Sequence, residues 1–303
     1  MMTGRNFHRS FLAAASQLLL AASLAVSSAQ AANPKPELPP LDSDGRHHPG
    51  KFVWADLVTD NGPAAQKFYS QLLGWEFRDV GGYAIATNHG RPVCGLLQRA
   101  RPTDRPAKPR WIVFISVPSV AEAQKGALAR GALVRAAPQV FPRRGEQAVF
   151  ADAEGAAFGV INSSAGDPED SLVEPGGWIW MQLLSRNTVA AADFYEAVCG
   201  YEAGANTLSG RTDSRLLSSG GYARAAVRTI PADHPEVTPT WLPFVRVAVT
   251  AKAVARAKEL GGTVLVEPSP ELFEGRVAVV ADPTGAAIGL LEWNEPQKGA
   301  TKP

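Results

Sequence analysis

The chain has 303 residues, a formal net charge of +1 at pH 7 and two cysteines. A near-neutral protein has no overall positive field to attract nucleic acid or an anionic membrane, so neither partner is predicted. Two cysteines are too few for a disulfide scaffold; Cys94 and Cys199 are predicted either as inert buried thiols or as a single pair.

Residues 1–31 have the pattern of a signal peptide. Arg5 and Arg9 precede an uncharged, mostly apolar run from Phe11 to Val26, and Ala29-Gln30-Ala31 matches a signal-peptidase site. The run is shorter than the ~20 residues of a membrane span, although an uncleaved anchor is the alternative. Cleavage after Ala31 predicts a periplasmic or secreted protein with no membrane span in the mature chain.

Residues 32–50 contain five prolines among polar neighbours. Such a composition predicts an extended tether rather than packed structure. His47 and His48 lie within it, and adjacent histidines in a flexible segment are predicted to be solvated rather than metal-bound.

A long internal repeat organises the remainder of the chain. Trp54 and Trp180, Phe68 and Phe194, and Gly74 and Gly200 are each separated by the same 126 positions. Recurrence of residue type and spacing over such a length indicates one structural unit used twice. We therefore predict a first domain over 51–163, a Gly/Pro/Ser-rich acidic linker over 164–176, a second domain over 177–295 and a frayed tail over 296–303.

Within each domain the pattern predicts two β-α-β-β-β units. In the first strand, residues 52, 54 and 56 are predicted on one face and residues 53, 55 and 57 on the other, as period two requires. Asn61-Gly62-Pro63 then opens a helix that Gly74 ends, and three short strands follow. In the second domain Trp178, Trp180 and Gln182 are predicted on the face opposite Ile179, Met181 and Leu183.

With the repeat in place, the chain resembles the vicinal-oxygen-chelate superfamily, the group of glyoxalase I, extradiol dioxygenases and bleomycin-resistance proteins. The resemblance rests on Ala64-Ala65-x-x-Phe68-Tyr69-x-x-Leu72-Leu73-Gly74-Trp75, on Ala191-Ala192-x-Phe194-Tyr195 and on Ala281-Asp282-Pro283-x-Gly285-Ala286. It implies an α+β fold in which paired β-α-β-β-β units curl into U-shaped incomplete barrels, two such domains in tandem. The two-domain layout is similar to a bacterial glyoxalase-like subset.

The resemblance also implies where a metal would be held, on the first and last strands of each unit. The matching positions are Trp54, Gly95, Ile112 and Gly159 in the first domain, and Trp180, Ala225, Leu242 and Gly289 in the second. None of these side chains offers the oxygen or imidazole nitrogen that a hard or borderline cation requires. The sequence therefore predicts no metal and no other cofactor.

Seven residues are candidates for lining a ligand pocket. Trp54 and Trp180 are expected inside the two cavities, either as an aromatic floor for a ligand or as core that fills a disused metal site. Asp56 and Gln182 share their faces; Asp56 could act as an acid or base, or be salt-bridged or exposed. Cys94 is expected on a strand lining the first cavity, as a nucleophile or a buried thiol. Arg224 and Arg246 could grip a carboxylate or phosphate, or lie at the surface.

These observations favour an exported, metal-free glyoxalase-like protein that binds a small apolar or aromatic molecule or a protein partner. The alternative is a metal-dependent lyase, isomerase or dioxygenase with displaced ligands. A further alternative is that the cavities are filled and an outer surface mediates assembly. The sequence identifies no reaction and leaves the oligomeric state open.

Overall fold

The protein contains two eight-stranded sheets, one in each predicted domain. The structure, a computed structural model, describes residues 37–100, 108–206 and 213–294. The predicted leader and tail lie outside these ranges. None of the described helices is long and apolar enough to cross a membrane.

The elements follow the predicted β-α-β-β-β order four times. In the first domain they are β1 (Phe52–Thr59), α1 (Gly62–Leu73), β2 (Glu76–Asp79), β3 (Tyr83–Asn88), β4 (Arg91–Gln98), β5 (Arg110–Ser116), α2 (Val120–Leu128), β6 (Leu133–Phe141), β7 (Gly145–Ala151) and β8 (Ala157–Ser163). In the second they are β9 (Trp178–Ser185), α3 (Thr188–Cys199), β10 (Glu202–Ala205), β11 (Ser214–Ser219), β12 (Tyr222–Thr229), β13 (Thr240–Val247), α4 (Thr250–Glu259), β14 (Thr263–Val266), β15 (Val277–Ala281) and β16 (Ala287–Glu292). A short 3-10 turn, Phe273–Gly275, precedes β15.

Strand pairing makes each sheet an open, mixed structure. The first sheet has the order β2-β3-β4-β1-β5-β8-β7-β6, and the second repeats it as β10-β11-β12-β9-β13-β16-β15-β14. At the centre β1 and β5 run antiparallel, whereas β1–β4 and β5–β8 are parallel pairs. The predicted fold class, two α+β domains of paired units that do not close into barrels, is confirmed.

The helix boundaries follow from local capping. The Asn61 side chain accepts a hydrogen bond from the Ala64 amide at 3.2 Å, and Gly74 ends α1 with φ of 75°. Asn187 and Gly200 perform the same functions for α3. Asparagine at the N-cap satisfies an otherwise unpaired amide, and glycine adopts the left-handed end without a Cβ clash.

The predicted alternation along the opening strands is wrong for the first two residues of the pattern in each domain, Phe52 and Val53 in the first and Trp178 and Ile179 in the second. A register shift between Phe52 and Trp54 places Val53 and Trp54 together in the cluster on the concave face. Phe52 instead packs on Trp241, at 5.0 Å between ring centroids. The equivalent shift turns Trp178 away from Trp180. A β-bulge adds one residue to one strand and so interrupts its period of two.

The two domains share their hydrophobic cores. One large cluster combines α2 and its sheet with α3 and residues of β9 and β12, and a second combines α1 with α4 and β16. Each helix thus lies on the convex face of its own sheet and also packs against the other domain. The convex faces therefore face each other, and the concave faces are directed outward.

A buried hydrogen-bonded chain crosses this shared core. The Trp241 indole donates to the Tyr195 hydroxyl at 2.8 Å, and Tyr195 donates to Asp152 of the first domain at 3.0 Å. Glu154, in the same turn, accepts from the Arg186 and Asn187 amides ahead of α3. Desolvation raises the pKa of Asp152, and desolvation together with the Asp152 charge raises that of Tyr195.

Residues 37–50 do not form the unpacked tether that the prolines predict. Leu38 and Leu41 are buried on the concave face of the first sheet. Further on, Asp167 of the linker accepts hydrogen bonds from the His48 amide and the Ser116 hydroxyl, each at 2.6 Å. Prolines remove amide donors without preventing apolar neighbours from packing. The prediction of an unpacked tether, which rested on composition alone, was therefore wrong for this segment.

Asp170 is the ionic centre of the contact between residues 43–51 and the linker. Its carboxylate receives two hydrogen bonds from Arg224, at 2.5 and 2.9 Å, and one from Lys51 at 2.5 Å. Burial alone would raise its pKa, but the hydrogen bonds and charges of Arg224 and Lys51 lower it to about 2. We call residues 43–51 and 164–173 together the clip.

We expect Tyr195→Phe to lower the free energy of unfolding by about 1–3 kcal/mol, because Asp152 loses a donor and the buried Trp241 indole loses its acceptor. Urea denaturation measures the change. Tyr222→Phe is the control, since that ring is 51% exposed. Equal effects of the two substitutions would show that the buried chain contributes nothing specific.

We expect Asp170→Asn to lower the melting temperature at pH 7. The folded pKa, about 2, lies below the ordinary 3.8, so the carboxylate stabilises the fold above pH 3.8 and loses this contribution as the pH falls through 2. The difference from the wild type should therefore shrink across that window in thermal denaturation followed by circular dichroism. The exposed Asp193→Asn is the control. A deficit that persists unchanged below pH 2 would contradict the ionic explanation.

Candidate functional site

Each sheet has one concave face, and the opening strand places its two candidate side chains there. In the first domain Asp56 lies opposite Gly95 and Ile112, and Trp54 lies opposite Phe114. The second domain pairs Gln182 with Ala226 and Leu242, and Trp180 with Phe244. The register thus assigns Ala226, rather than the predicted Ala225, to the concave position.

The first concave face holds a compact polar cluster. The Trp54 indole donates to Asp56 Oδ1 at 2.7 Å, and the Tyr83 hydroxyl donates to the same oxygen at 2.5 Å. The indole is also 3.3 Å from the Tyr83 oxygen. Two donors on one carboxylate oxygen fix the rotamers of both aromatic rings.

Arg144 covers this cluster. Its guanidinium carbon lies 3.9 Å from the centroid of the Trp54 ring, a cation–π contact. The residue is only 1% exposed, and its Nη1 donates to the Pro39 carbonyl at 3.0 Å. The positive charge is therefore enclosed between the indole and the N-terminal segment.

Burial controls the ionisation of the cluster. Desolvation raises the pKa of Asp56, against the lowering effects of Tyr83, Trp54 and Arg144. The pKa of Tyr83 is raised by desolvation and by the Asp56 charge, and desolvation lowers that of Arg144. A carboxyl with a raised pKa suits acid–base chemistry only where a substrate reaches it. Here Leu38, Leu41 and Arg144 occupy the space above it.

Aromatic side chains occupy the space where the family places metal ligands. A Cβ at Gly95 would overlap the Tyr83 hydroxyl and the Asp56 carboxylate, and a Cβ at Gly159 would overlap the Phe114 ring. In the second domain a Cβ at Gly289 would overlap Phe244. Any side chain at these glycines, including a metal ligand, would have to displace a packed neighbour.

The residues present do not fit the metal that the fold family implies. The four positions in each domain lack oxygen and imidazole donors, and the three glycines among them are covered by neighbouring side chains. Across residues 37–100, 108–206 and 213–294, no group of three or more His, Cys, Asp or Glu side chains could hold a metal ion.

The second concave face is more open. Leu242, Phe244 and Leu291 form its buried floor, with Ile179 and Trp180 partly buried beside them. Trp180, unlike Trp54, is half-buried, and neither its indole nor the Gln182 amide has a hydrogen-bond partner among the described residues. By strand register, Ser214 stands where the first domain has Tyr83. Counting back along the chain from the matched residues Val149 and Val279 brings Arg144 to Glu274, which is exposed and lies in the 3-10 turn ahead of β15.

A cavity of about 850 Å³ adjoins this face. Its wall includes Phe52, Trp178, Ile179, Trp180 and Tyr222, and the clip forms its polar side. Ile179 and Trp180 border both the cavity and the apolar concave face, whereas Gln182, Leu242, Phe244 and Leu291 belong to the face and do not line the cavity.

The other three candidate residues, Cys94, Arg224 and Arg246, are either buried or already hydrogen-bonded within the protein. Cys94 is buried under α1, on the face opposite Gly95, and desolvation raises its pKa well above the ordinary range. The expected cavity-facing position is wrong, because it is Gly95 that faces Asp56. Both cysteines are free thiols. Arg224 is bound to Asp170, and Arg246 donates to the carbonyls of Val173 and Trp293 at 2.6 and 2.9 Å.

Sequence reasoning missed Tyr83, Arg144 and the buried leucines of the N-terminal segment. Tyr83 comes immediately after the Gly81-Gly82 turn, and Arg144 precedes Gly145 in a turn between two strands. Such positions are normally exposed. The available signal was the spacing of Leu38 and Leu41 around two prolines, two apolar residues in an otherwise polar segment.

Comparisons with known proteins agree with this architecture. The sequence model of the glyoxalase-like domain family matches this chain twice, over residues 53–161 and over residues 180–291. The anthracycline biosynthesis protein DnrV of Streptomyces peucetius is 30% identical over 266 residues, covering 82% of this chain and 96% of DnrV. The protein CFP32 of Mycobacterium tuberculosis is 28% identical over 245 residues, covering 79% of this chain and 93% of CFP32.

Solved structures share the fold at low identity. The Mn(II)-bound glyoxalase of Novosphingobium aromaticivorans aligns with a TM-score of 0.56 at 14% identity, covering 81% of this chain and 82% of the glyoxalase. The 2,3-dioxygenase LapB of Pseudomonas sp. KL28 aligns with a TM-score of 0.55 at 14% identity, covering 85% of this chain and 96% of LapB. Two matched domains, supported by the observed sheet order, confirm the resemblance drawn from the motifs: the chain belongs to the glyoxalase-like family of the vicinal-oxygen-chelate superfamily.

Proposed function

We propose that the protein binds a small aromatic or apolar molecule on the concave face of its second domain and does so without a metal. The observation that carries this proposal is the contrast between two equivalent tryptophans. Trp54 is enclosed by its neighbours, whereas Trp180 is half-buried and borders a cavity of about 850 Å³.

The apolar surface supports a flat ligand. Ile179, Trp180, Leu242, Phe244 and Leu291 lie together on one side of the sheet. Ligand sites of this kind are mostly apolar, with volumes of roughly 300–1,000 Å³ and a few placed polar groups. An aromatic molecule could stack on the indole and displace water from the partly exposed side chains.

Two polar groups on this face select for a ligand with hydrogen-bonding oxygen. The Trp180 indole can donate one hydrogen bond, and the Gln182 amide can both donate and accept. A carbonyl or phenolic oxygen on an aromatic ring would satisfy both side chains. The name of DnrV, an anthracycline biosynthesis protein, supports this class, since anthracyclines are polycyclic aromatics that carry such oxygens.

We expect Trp180→Leu to weaken binding of the probe 1,8-dihydroxyanthraquinone at least about tenfold, equivalent to about 1.4 kcal/mol, because the stacking surface and the indole donor are lost. Isothermal titration calorimetry measures the dissociation constants. Val140→Ser, a change at an exposed residue of the first domain, is the control. Equal affinity of Trp180→Leu and the wild type, or no binding by the wild type, would contradict the proposal.

The competing function is a metal-dependent lyase, isomerase or dioxygenase with displaced ligands. The fold shared with a Mn(II)-bound glyoxalase and with dioxygenases favours it, while the donor set described above opposes it. We also propose export, on the apolar leader and the Ala29-Gln30-Ala31 pattern.

Native mass spectrometry of the protein purified from its own host tests both points. We expect a mass that corresponds to residues 32–303 and no stoichiometric manganese, iron, nickel or zinc after dialysis. A tightly held metal would support the enzyme alternative, and a retained leader would contradict cleavage after Ala31. The same spectrum gives the oligomeric state.

A further inference from the structure

The N-terminal segment occupies the first concave face as a bound peptide would. Leu38 and Leu41 are 5% and 4% exposed and pack with Trp54, Tyr83 and Phe114. Pro39 and Pro40 lie between the two leucines and remain partly or fully exposed. The chain thus inserts two side chains and leaves the intervening pair outside.

This spacing is typical of a polyproline II helix. That helix has three residues per turn, so residues i and i+3 lie on the same edge. Proline fixes its own φ near −65° and restricts the preceding residue to extended conformations. No backbone hydrogen bond joins residues 37–41 to the backbone of any other described residue, and a polyproline II helix needs none.

Arg144 recognises the backbone between the leucines. Its Nη1 donates to the Pro39 carbonyl, which accepts no hydrogen bond from the backbone of any other described residue. The Nε of this buried guanidinium has no hydrogen-bond partner. Aromatic grooves with a donor aimed at a peptide carbonyl are a recurring means of binding proline-rich segments.

The two ends of the segment are matched by charge. Glu37 pairs with Arg143 at 2.9 Å, and Asp42 lies 3.5 Å from Arg91. Both pairs are exposed, so each contributes little energy. Because an acid lies at each end of the Leu-Pro-Pro-Leu core and an arginine faces each acid, the two pairs favour a peptide with an acidic residue on both sides of the core.

We propose that the concave face of the first domain is a groove for proline-rich peptides of the form acid-Leu-Pro-Pro-Leu-acid, and that residues 37–42 bind it in cis as an internal ligand. The same peptide supplied in trans should compete with this segment. In the intact chain the tethered copy has an effective concentration of about millimolar, so an external peptide binds only when the internal copy is weakened.

The site is specific to the first domain. The second domain has Ser214 in place of Tyr83, and the turn ahead of β15 carries Glu274 at the chain position of Arg144, where it pairs with Arg276 at 2.9 Å. It lacks the buried guanidinium that binds the peptide carbonyl. This peptide function is therefore separate from the small-molecule site proposed around Trp180.

The test uses a fluorescein-labelled peptide of residues 37–44 and the full-length mature chain. In fluorescence anisotropy we expect Leu38→Ser/Leu41→Ser protein to bind the peptide at least tenfold more tightly than the wild type. Leu133→Ser, a change at an exposed leucine, should match the wild type. A peptide with serine at both leucine positions should not bind.

A second variant keeps the test valid if the two serine substitutions prevent folding. Pro39→Ala/Pro40→Ala keeps both buried leucines but makes the internal segment more flexible, so it should give a smaller increase in peptide affinity. Circular dichroism establishes that each variant is folded. If folded variants bind the peptide no better than the wild type, the segment is only a structural cover and the proposal is wrong.

Discussion

The hydrogen-bonded chain Trp241–Tyr195–Asp152 fixes the relation between the two domains. Because these groups are buried, a shift of one domain against the other would leave polar atoms without partners in an apolar core. The surrounding clusters mix residues of both domains and supply the apolar part of the same seam. With convex faces buried together, both concave faces are available for separate uses.

The two concave faces have diverged from one plan. Both carry a tryptophan where the family would hold a metal ligand, and both contain a glycine under a phenylalanine ring. The first face adds Asp56, Tyr83 and Arg144, and this polar cluster completes its packing with the chain's own leucines. The second replaces these polar residues and leaves an apolar surface beside a cavity. Duplication permits this division because one copy can preserve stability while the other remains open.

Much of the architecture could be predicted from the sequence, because repeats and capping residues act locally. Asn61 and Gly74 determine the ends of α1 through their own side-chain and backbone chemistry. The surroundings of Val53, Cys94 and Leu38 could not be predicted in this way. A β-bulge reversed the expected faces of Phe52 and Val53, and strand register placed Gly95 rather than Cys94 toward Asp56. Tertiary packing buried Leu38 and Leu41 within a proline-rich segment. Arg224 had the chemistry of an anion-binding residue, and the anion it binds proved to be Asp170 of the same chain.

The clip also has a mechanical consequence. It joins residues 43–51 to residues 164–173 through Asp167 and Asp170, so the chain's entry into the first sheet is fastened to the connection between the domains. A pulling force applied at Glu37 would first detach Leu38 and Leu41 from their groove and would then act on these polar contacts. Only after they had opened would tension reach the hydrogen bonds of β1. The sheets are thereby shielded from forces that act on the N-terminal end of the chain.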